Sequence, residues 1–375
     1  MAKGIYLTLM IGPAAPAPAP QVVMDALTSA QVTTTAGQAS GFQLSFTLSN
    51  RSPLHTLFLL SSGSPIPIIR VIIVVTVFGA PQVLMDGVMT NHQIEPGNQP
   101  GQSTLTVTGE DLTRVMDYID FSGIPYPGMP DAARVLLILA KYAAFGVVPR
   151  VIPSVLLDAP LPVNRIPRHK GTDLAYIKRL AEEVGYVFYI ETGPAPGAST
   201  AYWGPEIKIG APQPALNTNM DAYTNVESLN FALDTESKTL PVVFTQNEAT
   251  KAPIPIPIPD ITPLNPPLGL IPPISKRIEP IEGTAKLSTT RAALIGLAKA
   301  AKTADAVSAS GSLDVLRYGR VLQARRLVGL RGAGQAFDGL YYVKSVTHNI
   351  KHGEYKQSFT LSRNGLISTL PQLPV

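Results

Sequence analysis

The chain has 375 residues, of which 45% are hydrophobic and only 15% are charged, with 36 prolines, 30 glycines and no cysteine. The length allows two or three domains, and the missing cysteines exclude disulfides, zinc–thiolate sites, iron–sulfur clusters and cysteine nucleophiles. The many prolines and glycines argue against a helical bundle and favour strands, turns and extended connectors. A surface this poor in charge is typical of a protein covered by partner subunits.

The net charge of +4 is unevenly distributed along the chain. From Lys276 onward there are 15 Lys and Arg against 6 Asp and Glu, a net charge of +9, and the preceding residues carry 15 against 20, a net charge of −5. A basic C-terminal third can meet an acidic partner or nucleic acid. Because no dense basic run is present, solvated faces of one domain are the favoured interpretation, without nucleic-acid specificity.

The N-terminal residues lack the apolar core of a secretory signal peptide, since PAAPAPAP follows the first apolar residues. The most apolar run, VIIVVTVF at residues 71–78, has about eight residues, whereas a membrane-spanning helix needs about 20. We therefore expect no membrane insertion and predict a strand buried on both faces.

The first 110 residues predict a small β-barrel or sandwich. Gly, Pro and Asn clusters separate five segments rich in β-branched and aliphatic residues. These predicted strands cover residues 4–11, 42–48, 66–78, 82–93 and 103–109.

Helical periodicity then indicates a mixed α/β insertion over residues 111–210, with helix-like segments at 111–118 and 131–145. In a third segment Thr172 is the predicted N-cap and Gly185 the predicted C-terminal stop. The buried face of that helix is predicted to comprise Leu174, Ile177, Leu180, Ala181 and Val184. A strand follows at residues 186–190.

Strand character returns at residues 225–245 and is then broken by KAPIPIPIPDITPLNPPLGLIPPISK. Nine of the 22 residues from 252 to 273 are proline, which excludes a helix or a central strand. Because this segment is rich in Ile and Leu, we expect an arm that lies across its own assembly or a neighbour; a plain spacer is the alternative. A helix with a serine cap is predicted at residues 288–308, and strands resume from Leu313.

The residues that could carry chemistry do not form a recognisable site. His348 and His352 are four apart, which places them about 13 Å apart on a strand, whereas zinc–nitrogen bonds measure about 2 Å. The adjacent carboxylates Glu110 and Asp111, and likewise residues 182 and 183, point in different directions and are expected to be solvated. His169 is expected to be an isolated surface or core residue. We therefore expect no catalytic residue, no cofactor and no metal.

The segment FDGLYYVKSVTHNIKHGEYKQSFTLSRNG at residues 337–365 resembles the end of the baseplate hub family of contractile phage tails. This family includes the late control gene D proteins and the N-terminal part of the VgrG spikes of type VI secretion. The helix and strand at 172–193 resemble a second family element, and residues 83–96 and 105–117 resemble the closing strands of its first barrel. The signature positions, at which we expect packing, are Leu174, Ile177, Leu180, Gly185, Phe337, Gly339, Tyr341, Tyr342, Val343, Val346, His348, Gly353, Tyr355, Phe359, Leu361 and Arg363.

The resemblance implies a β-rich α+β fold with two related small β-barrel (tube-like) domains, an α/β insertion and a proline-rich arm. The expected limits are 1–110 for the first barrel domain, 111–210 for the insertion, 211–247 with 312–365 for the second, discontinuous barrel domain, 248–311 for the arm plus helix, and 366–375 for a C-terminal tail. It also implies a homotrimer whose six barrel domains form a ring of pseudo-sixfold symmetry.

Such a ring is a structural, non-enzymatic baseplate hub that joins the hexameric tail tube to the trimeric central spike and templates tube assembly. The implied partners are the tube protein, a separate spike protein and other baseplate proteins such as the wedge and tape measure. The implied location is the virion tail baseplate, assembled in the host cytoplasm, or an injection-system particle. A tail-associated cell-wall hydrolase and another β-rich tube or baseplate component are the alternatives.

Overall fold

The computed structural model describes residues 4–13, 15–48, 52, 54, 58, 68–97, 103–154, 166–236, 238–246, 253–258, 265–281 and 289–369. Over these ranges no helix is both long and apolar enough to cross a membrane. The predicted serine cap at position 288 and residues 370–375 of the predicted tail lie outside the described residues.

The N-terminal part is a set of antiparallel strands with one short helix, α1 (Gln21–Ala26). In β1, β4 and β7 buried and more exposed side chains alternate, the pattern of a sheet with one buried face, whereas β5 is buried along nearly its whole length. They are β1 (Ile5–Gly12), β2 (Ala17–Pro18), β3 (Leu27–Thr35), β4 (Gly41–Leu48), β5 (Arg70–Val77), β6 (Ala80–Glu95) and β7 (Ser103–Asp111).

The insertion has its own small sheet and core. A 3-10 turn at Leu112–Asp117 is followed by α2 (Asp131–Ala140), β8 (Val147–Val151), α3 (Asp173–Val184), β9 (Val187–Thr192) and β10 (Ser199–Gly204). The predicted ends of α3 are confirmed, because the Thr172 hydroxyl accepts from the Ala175 amide and Gly185 has a left-handed φ of 72°.

The C-terminal part supplies strands to two sheets. The first elements are β11 (Gln213–Asn217), β12 (Val226–Leu233), β13 (Thr239–Gln246), β14 (Pro253–Pro257), β15 (Gly269–Ile271), β16 (Arg277–Ile281) and α4 (Thr289–Thr303). They are followed by β17 (Val307–Asp314), α5 (Val315–Tyr318), β18 (Leu327–Arg331), β19 (Gly339–Lys351), β20 (Glu354–Arg363) and β21 (Leu366–Ser368). Within the proline-rich arm, β14 and β16 flank β13, and α4 packs on one face of that small sheet.

One 13-stranded sheet joins the N- and C-terminal parts in the order β12-β17-β20-β19-β3-β4-β7-β6-β5-β1-β2, and off this path β18 pairs with β19 and β11 pairs with β18. The seam is the antiparallel pair β19–β3, in which Thr347 lies opposite Thr33. A single hydrophobic core draws on both parts, from Leu9 and Phe46 to Val346 and Leu361.

The sheet contains the same four-strand unit twice. The first unit has the sheet order β3-β4-β7-β6, and the second has the order β12-β17-β20-β19. In both units the last two strands in the chain exchange places in the sheet. Below, the strands of a unit are numbered first to fourth in chain order, so β6 and β19 are the third strands. All neighbouring strands in both units are antiparallel. The third strand of each unit carries a register shift, between Met89 and Asn91 in one and between Val343 and Ser345 in the other. The first strand of each also carries one, in β3 and in β12.

Several expectations from the sequence need correction. β3 is missed by the sequence pattern, because only small and polar residues separate its few apolar ones. The strand expected from Leu313 begins at Val307, so the expected limit between residues 311 and 312 falls inside β17. The predicted tail begins with an ordered strand, β21, which pairs with β15 of the arm. Phe78 belongs to the turn after β5, with φ 47° and an exposed ring.

Candidate functional site

The outward face of the repeated units is polar and almost free of charge. Register across eight strands, from β12 to β6, aligns its side chains into continuous rows. We call this surface the hydroxyl–amide face. Its members are Ser228, Asn230, Ser308, Ser310, Ser312, Ser358, Thr360, Ser345, Thr347, Asn349, Ser29, Gln31, Thr33, Thr35, Gln43, Ser45, Thr47, Thr104, Thr106, Thr108, Asn91 and Gln93.

Hydrogen bonds between neighbouring strands tie this face together. Gln31 Nε2 donates to Asn349 Oδ1 over 2.9 Å, and the Thr33 and Thr347 hydroxyls are 3.1 Å apart, both across the seam. The hydroxyls of Ser228 and Ser312 are 2.8 Å apart. Most charged outward residues stand at the ends of the strands, and Lys344 lies at the bulge of β19. Those at strand ends are Glu227, Asp314, Lys356, Glu354, Lys351, Glu110 and Glu95. Over β12, β17, β20 and β19 the face encloses a depression of about 440 Å³.

Most hairpin residues that carry the family resemblance lie beneath this face. Val343 and Val346 are opposite Leu361 and Phe359 in cross-strand pairs, and all four are buried. Of the two adjacent tyrosines of β19, only Tyr342 lies opposite a residue of β20. Tyr341 lies opposite Val328 of β18, Tyr342 lies between Leu327 and Ser362, and Tyr355 is opposite Ile350.

His348 is buried in the same hairpin and is held by hydrogen bonds. Its Nδ1 is 2.8 Å from the Tyr355 hydroxyl and 3.2 Å from Gln357 Nε2. The Gln357 amide is oriented by Leu322, whose N–H donates to Oε1 and whose carbonyl accepts from Nε2. Nδ1 is therefore an acceptor and the ring proton resides on Nε2. Burial lowers the pKa of His348 to about 3, which keeps the ring neutral. His352 is exposed beside Gly353 in the hairpin turn.

Arg363 and Gly339 fix the loop that precedes β19. The buried Arg363 guanidinium donates to the carbonyls of Asp338 and Ala336 at 2.9 and 2.7 Å and lies over the Tyr341 ring. Gly339 has φ 126°, and a Cβ there would lie 2.6 Å from the Ser368 side chain. Phe337 stacks on Phe231 of β12 at 4.6 Å. These signature positions therefore connect the loop to both edges of the second unit.

In the insertion, Ile177 and Leu180 are fully buried and Leu174 is partly buried against the same core. Sequence reasoning missed a buried polar cluster beside that helix, because its members are distant in the chain. His169 is not isolated: its Nδ1 is 2.9 Å from the Tyr126 hydroxyl and its Nε2 is 3.5 Å from Asp173 Oδ1. Burial lowers the pKa of His169.

Asp173 is the acceptor at the centre of that cluster. Its Oδ2 accepts from the Tyr142 hydroxyl at 2.7 Å and forms an ion pair with Lys141 at 2.5 Å. Burial and this hydrogen bond raise the pKa of Tyr142. The cluster links α2 to the start of α3 and so stabilises the insertion. Among the described residues, His169 Nε2 and Asp173 Oδ1 have no hydrogen-bond partner.

A buried ion pair attaches the insertion to the first unit. Arg70 on β5 donates to both carboxylate oxygens of Asp86 on β6 at 2.7 Å, and also to the carbonyl of Phe145 at 2.7 Å. The Ser199 hydroxyl donates to the same carboxylate at 3.0 Å. The expectation of a solvated Asp111 is wrong, because Asp111 is buried and accepts from the Ser40 and Thr113 amides.

The repeated sheet ends in two strand edges that have no partner within the described ranges. The outer edge of β12 is unpaired, and β5 pairs with β6 only as far as Val88, so residues 90–95 of β6 also present an open edge. Exposed strand edges are templates for pairing with another chain. Across the described residues, no group of three His, Cys, Asp or Glu side chains could hold a metal ion.

No family model and no curated protein sequence matches this chain. Its fold is that of known phage tail proteins and related proteins. A tail protein from Neisseria meningitidis superposes with a TM-score of 0.61 at 13% identity, covering 97% of this chain and 98% of that one. A chain of the Francisella PdpA–VgrG complex gives 0.61 at 8% identity, covering 100% and 60% respectively. The Escherichia coli c3393 protein, a component of the type VI secretion system, gives 0.52 at 13% identity, covering 93% and 78%. At these identities the likeness establishes a shared fold.

Proposed function

We propose that this protein is the structural hub of a contractile tail or a related injection system. In this role three copies form a ring of pseudo-sixfold symmetry that joins a hexameric tail tube to a trimeric central spike and templates tube assembly. The partners in this proposal are the tube protein, the spike protein and neighbouring wedge and tape-measure proteins. The location is the tail baseplate of a virion, or the corresponding part of an injection particle, assembled in the host cytoplasm.

The observation that carries the proposal is the repeated four-strand unit. Two units of the same strand order stand side by side in one sheet, joined through β19 and β3. A chain built in this way presents two near-equivalent surfaces, and three chains present six. This is the arrangement that an adaptor needs between a sixfold tube and a threefold spike. The two related tube-like barrels expected from the sequence are part of this proposal, with one unit as the inner wall of each.

The hydroxyl–amide face is suited to the inside of such a ring. Ser, Thr, Asn and Gln side chains keep a surface hydrated without holding a charged polymer electrostatically. The parts that break the internal repeat leave from one end of the strands. The insertion follows Asp111 at the end of β7, and the segment that leads through β13 to the arm follows Leu233 at the end of β12. Since β7 and β12 run in the same direction, both parts leave at the same rim.

The proposal includes a non-enzymatic role. The buried titratable residues described above are directed at one another: Asp173 at Lys141 and Tyr142, and Asp86 at Arg70. Such networks are typical of structural cores. A tail-associated hydrolase remains the alternative to be tested, by incubating the purified protein with peptidoglycan and measuring clearing.

The mass of the native particle and its image test the hub. We expect native mass spectrometry to give three times the 39.9 kDa chain mass, and electron microscopy to show threefold rings. A stable sixfold particle would instead fit a tube component. A monomer at every concentration up to that of imaging, or clearing of peptidoglycan, would refute the proposal.

A further inference from the structure

We propose that the open edge of β6 in one copy pairs with the open edge of β12 in a second copy, in a register that the seam inside the chain already displays. This inference rests on the proposed ring and specifies its interface at the level of residues. The occupant of each open edge is thus a second copy of this chain. Three such pairings would close the sheet into a continuous antiparallel cylinder.

The seam within the chain is the template for the pairing between copies. It joins the strand that is third in chain order in one unit to the strand that is first in the other. Within the chain these strands are β19 and β3. The other third strand is β6 and the other first strand is β12. Each has a free edge, so β6 of one copy can pair with β12 of another in the way that β19 pairs with β3. Every neighbouring pair from β6 to β12 is antiparallel, so the two end strands run in opposite directions. A second copy therefore meets the first in antiparallel orientation.

The register shifts define which residues of the two units are equivalent. In the third strands the shift makes Asn91 equivalent to Ser345 and Gln93 to Thr347. In the first strands it makes Ser29 equivalent to Ser228 and, two residues on, Gln31 to Asn230. An independent route through the middle strands gives the same match.

That second route runs from the first strand to the third through the cross-strand partners. Gln31 leads through Gln43 and Thr108 to Asn91. Asn230 leads through Ser310 and Thr360 to Ser345. The two units therefore superpose in strand order, in direction and in register.

The seam then predicts the register between copies. Thr347 is opposite Thr33, so Gln93 is expected opposite the position equivalent to Thr33, which is Ala232 of the second copy. In the same way Glu95 is expected opposite Asn230, whose amide can donate to the carboxylate as Gln31 donates to Asn349. The pair Ala36 and Lys344 is hydrogen bonded through the main chain. Hydrogen-bonded and non-hydrogen-bonded pairs alternate along an antiparallel ladder. Thr33 and Thr347 lie three positions from Ala36 and Lys344, so they form a non-hydrogen-bonded pair, in which side chains are closest.

Exposed apolar side chains at the open edges support the pairing independently. Ile94 is 40% exposed and Leu233 is 42% exposed, although both lie on strands of this sheet. At the seam, the residue equivalent to Ile94 is His348, which is only 4% exposed, and Val32 opposite it is 0% exposed. In the inferred register Ile94 lies opposite Phe231 of the second copy. Apolar residues left open at two matching edges are what an interface between copies would cover.

Cysteine pairs test the register directly, because the chain has no cysteine of its own. The test variant is Gln93→Cys with Ala232→Cys, oxidised in dilute solution and resolved on a denaturing gel without reductant. We expect a ladder of dimer and covalent trimer that stops at the trimer. The register control is Gln93→Cys with Asn230→Cys, a diagonal pair about 7–8 Å apart across the strands, which we expect to crosslink at least tenfold less.

The positive control, Thr33→Cys with Thr347→Cys, is expected to oxidise within one chain and to remain a monomer on the gel. Circular dichroism of every variant checks folding, and Gln93→Ser with Ala232→Ser checks that assembly survives the polar changes. Native threefold particles without the Gln93–Ala232 crosslink, or equal crosslinking of the diagonal pair, would overturn the inferred register and leave the hub intact. Absence of threefold particles in the unmodified protein would overturn the hub itself.

Discussion

We predict that acid destabilises the protein through the buried His348. Comparing a substitution of His348 with one of the exposed His352 in the same hairpin separates this effect from that of the other titratable groups. The folded protein keeps His348 neutral, with a pKa of about 3, because the ring is buried. In the unfolded chain the pKa is about 6.5. Between these values the unfolded state binds the extra proton, so stability decreases as the pH falls through this window. Above pH 6.5 the residue contributes no pH dependence.

The size of the effect follows from the linkage relation. Each pH unit below 6.5 costs about 1.4 kcal/mol until the folded pKa is reached, so lowering the pH to 4.5 removes roughly 3 kcal/mol through His348 alone. The substitution His348→Asn keeps an acceptor near the Nδ1 position and removes the titration. We expect this variant to be less stable at pH 7.5 by about 2 kcal/mol, because it leaves a small cavity, and to lose less stability on acidification.

Urea unfolding followed by circular dichroism, at one protein concentration and at pH 7.5 and 4.5, measures both quantities. The unmodified protein should lose roughly 3 kcal/mol more than His348→Asn between the two pH values. The matched control is His352→Asn, four residues away in the exposed turn, which should follow the unmodified protein. Equal losses for the unmodified protein and His348→Asn would show that the buried ring is not held neutral, and the reasoning from burial would be refuted.

Three further predictions concern the ion pair, the loop before β19 and the arm. Asp86→Asn leaves Arg70 buried without its partner charge and should cost about 3–5 kcal/mol in urea unfolding; a loss below about 1 kcal/mol would contradict this. Gly339→Ala should lower the melting temperature far more than Gly353→Ala, because only the first would place a Cβ against neighbouring atoms; equal shifts would refute the packing argument. The prolines of β14 alternate along its sequence, PIPIP, so the edge of β14 that faces away from β13 lacks N–H donors and cannot pair with another strand. Replacing these prolines with threonine should therefore promote self-association, which light scattering measures. Unchanged scattering would show that the prolines do not block pairing at this edge.

Local features of the fold could be predicted from the sequence because their causes lie within a few residues. Thr172 and Gly185 define the ends of α3 through a cap and a left-handed glycine, and both are found. The run at residues 71–78 was predicted to be buried on both faces, and all but one residue of β5 are buried. The turn at Gly353 places β19 and β20 side by side, as the hairpin pattern indicates.

The parts that were missed or misplaced lack such local signals. β3, LTSAQVTTT, has too little hydrophobic contrast to predict a strand, yet it forms the seam. β17, VSASGSLD, is similarly small and polar, so the sequence pattern predicts its start several residues too late. Asp111 and His169 were expected to be ordinary solvated or isolated residues, and their partners come from segments far away in the chain.

The sequence alone determined that the chain is rich in strands, that an α/β segment interrupts them, and that the hairpin at residues 339–363 packs a core. Periodicity and capping decide these properties because they depend on near neighbours. Only the tertiary structure decided that two four-strand units share one sheet, and that an uncharged face covers them. Strand partners and register are chosen by contacts between residues more than 300 positions apart, such as Gln31 and Asn349, and no pattern within a single strand specifies its neighbour.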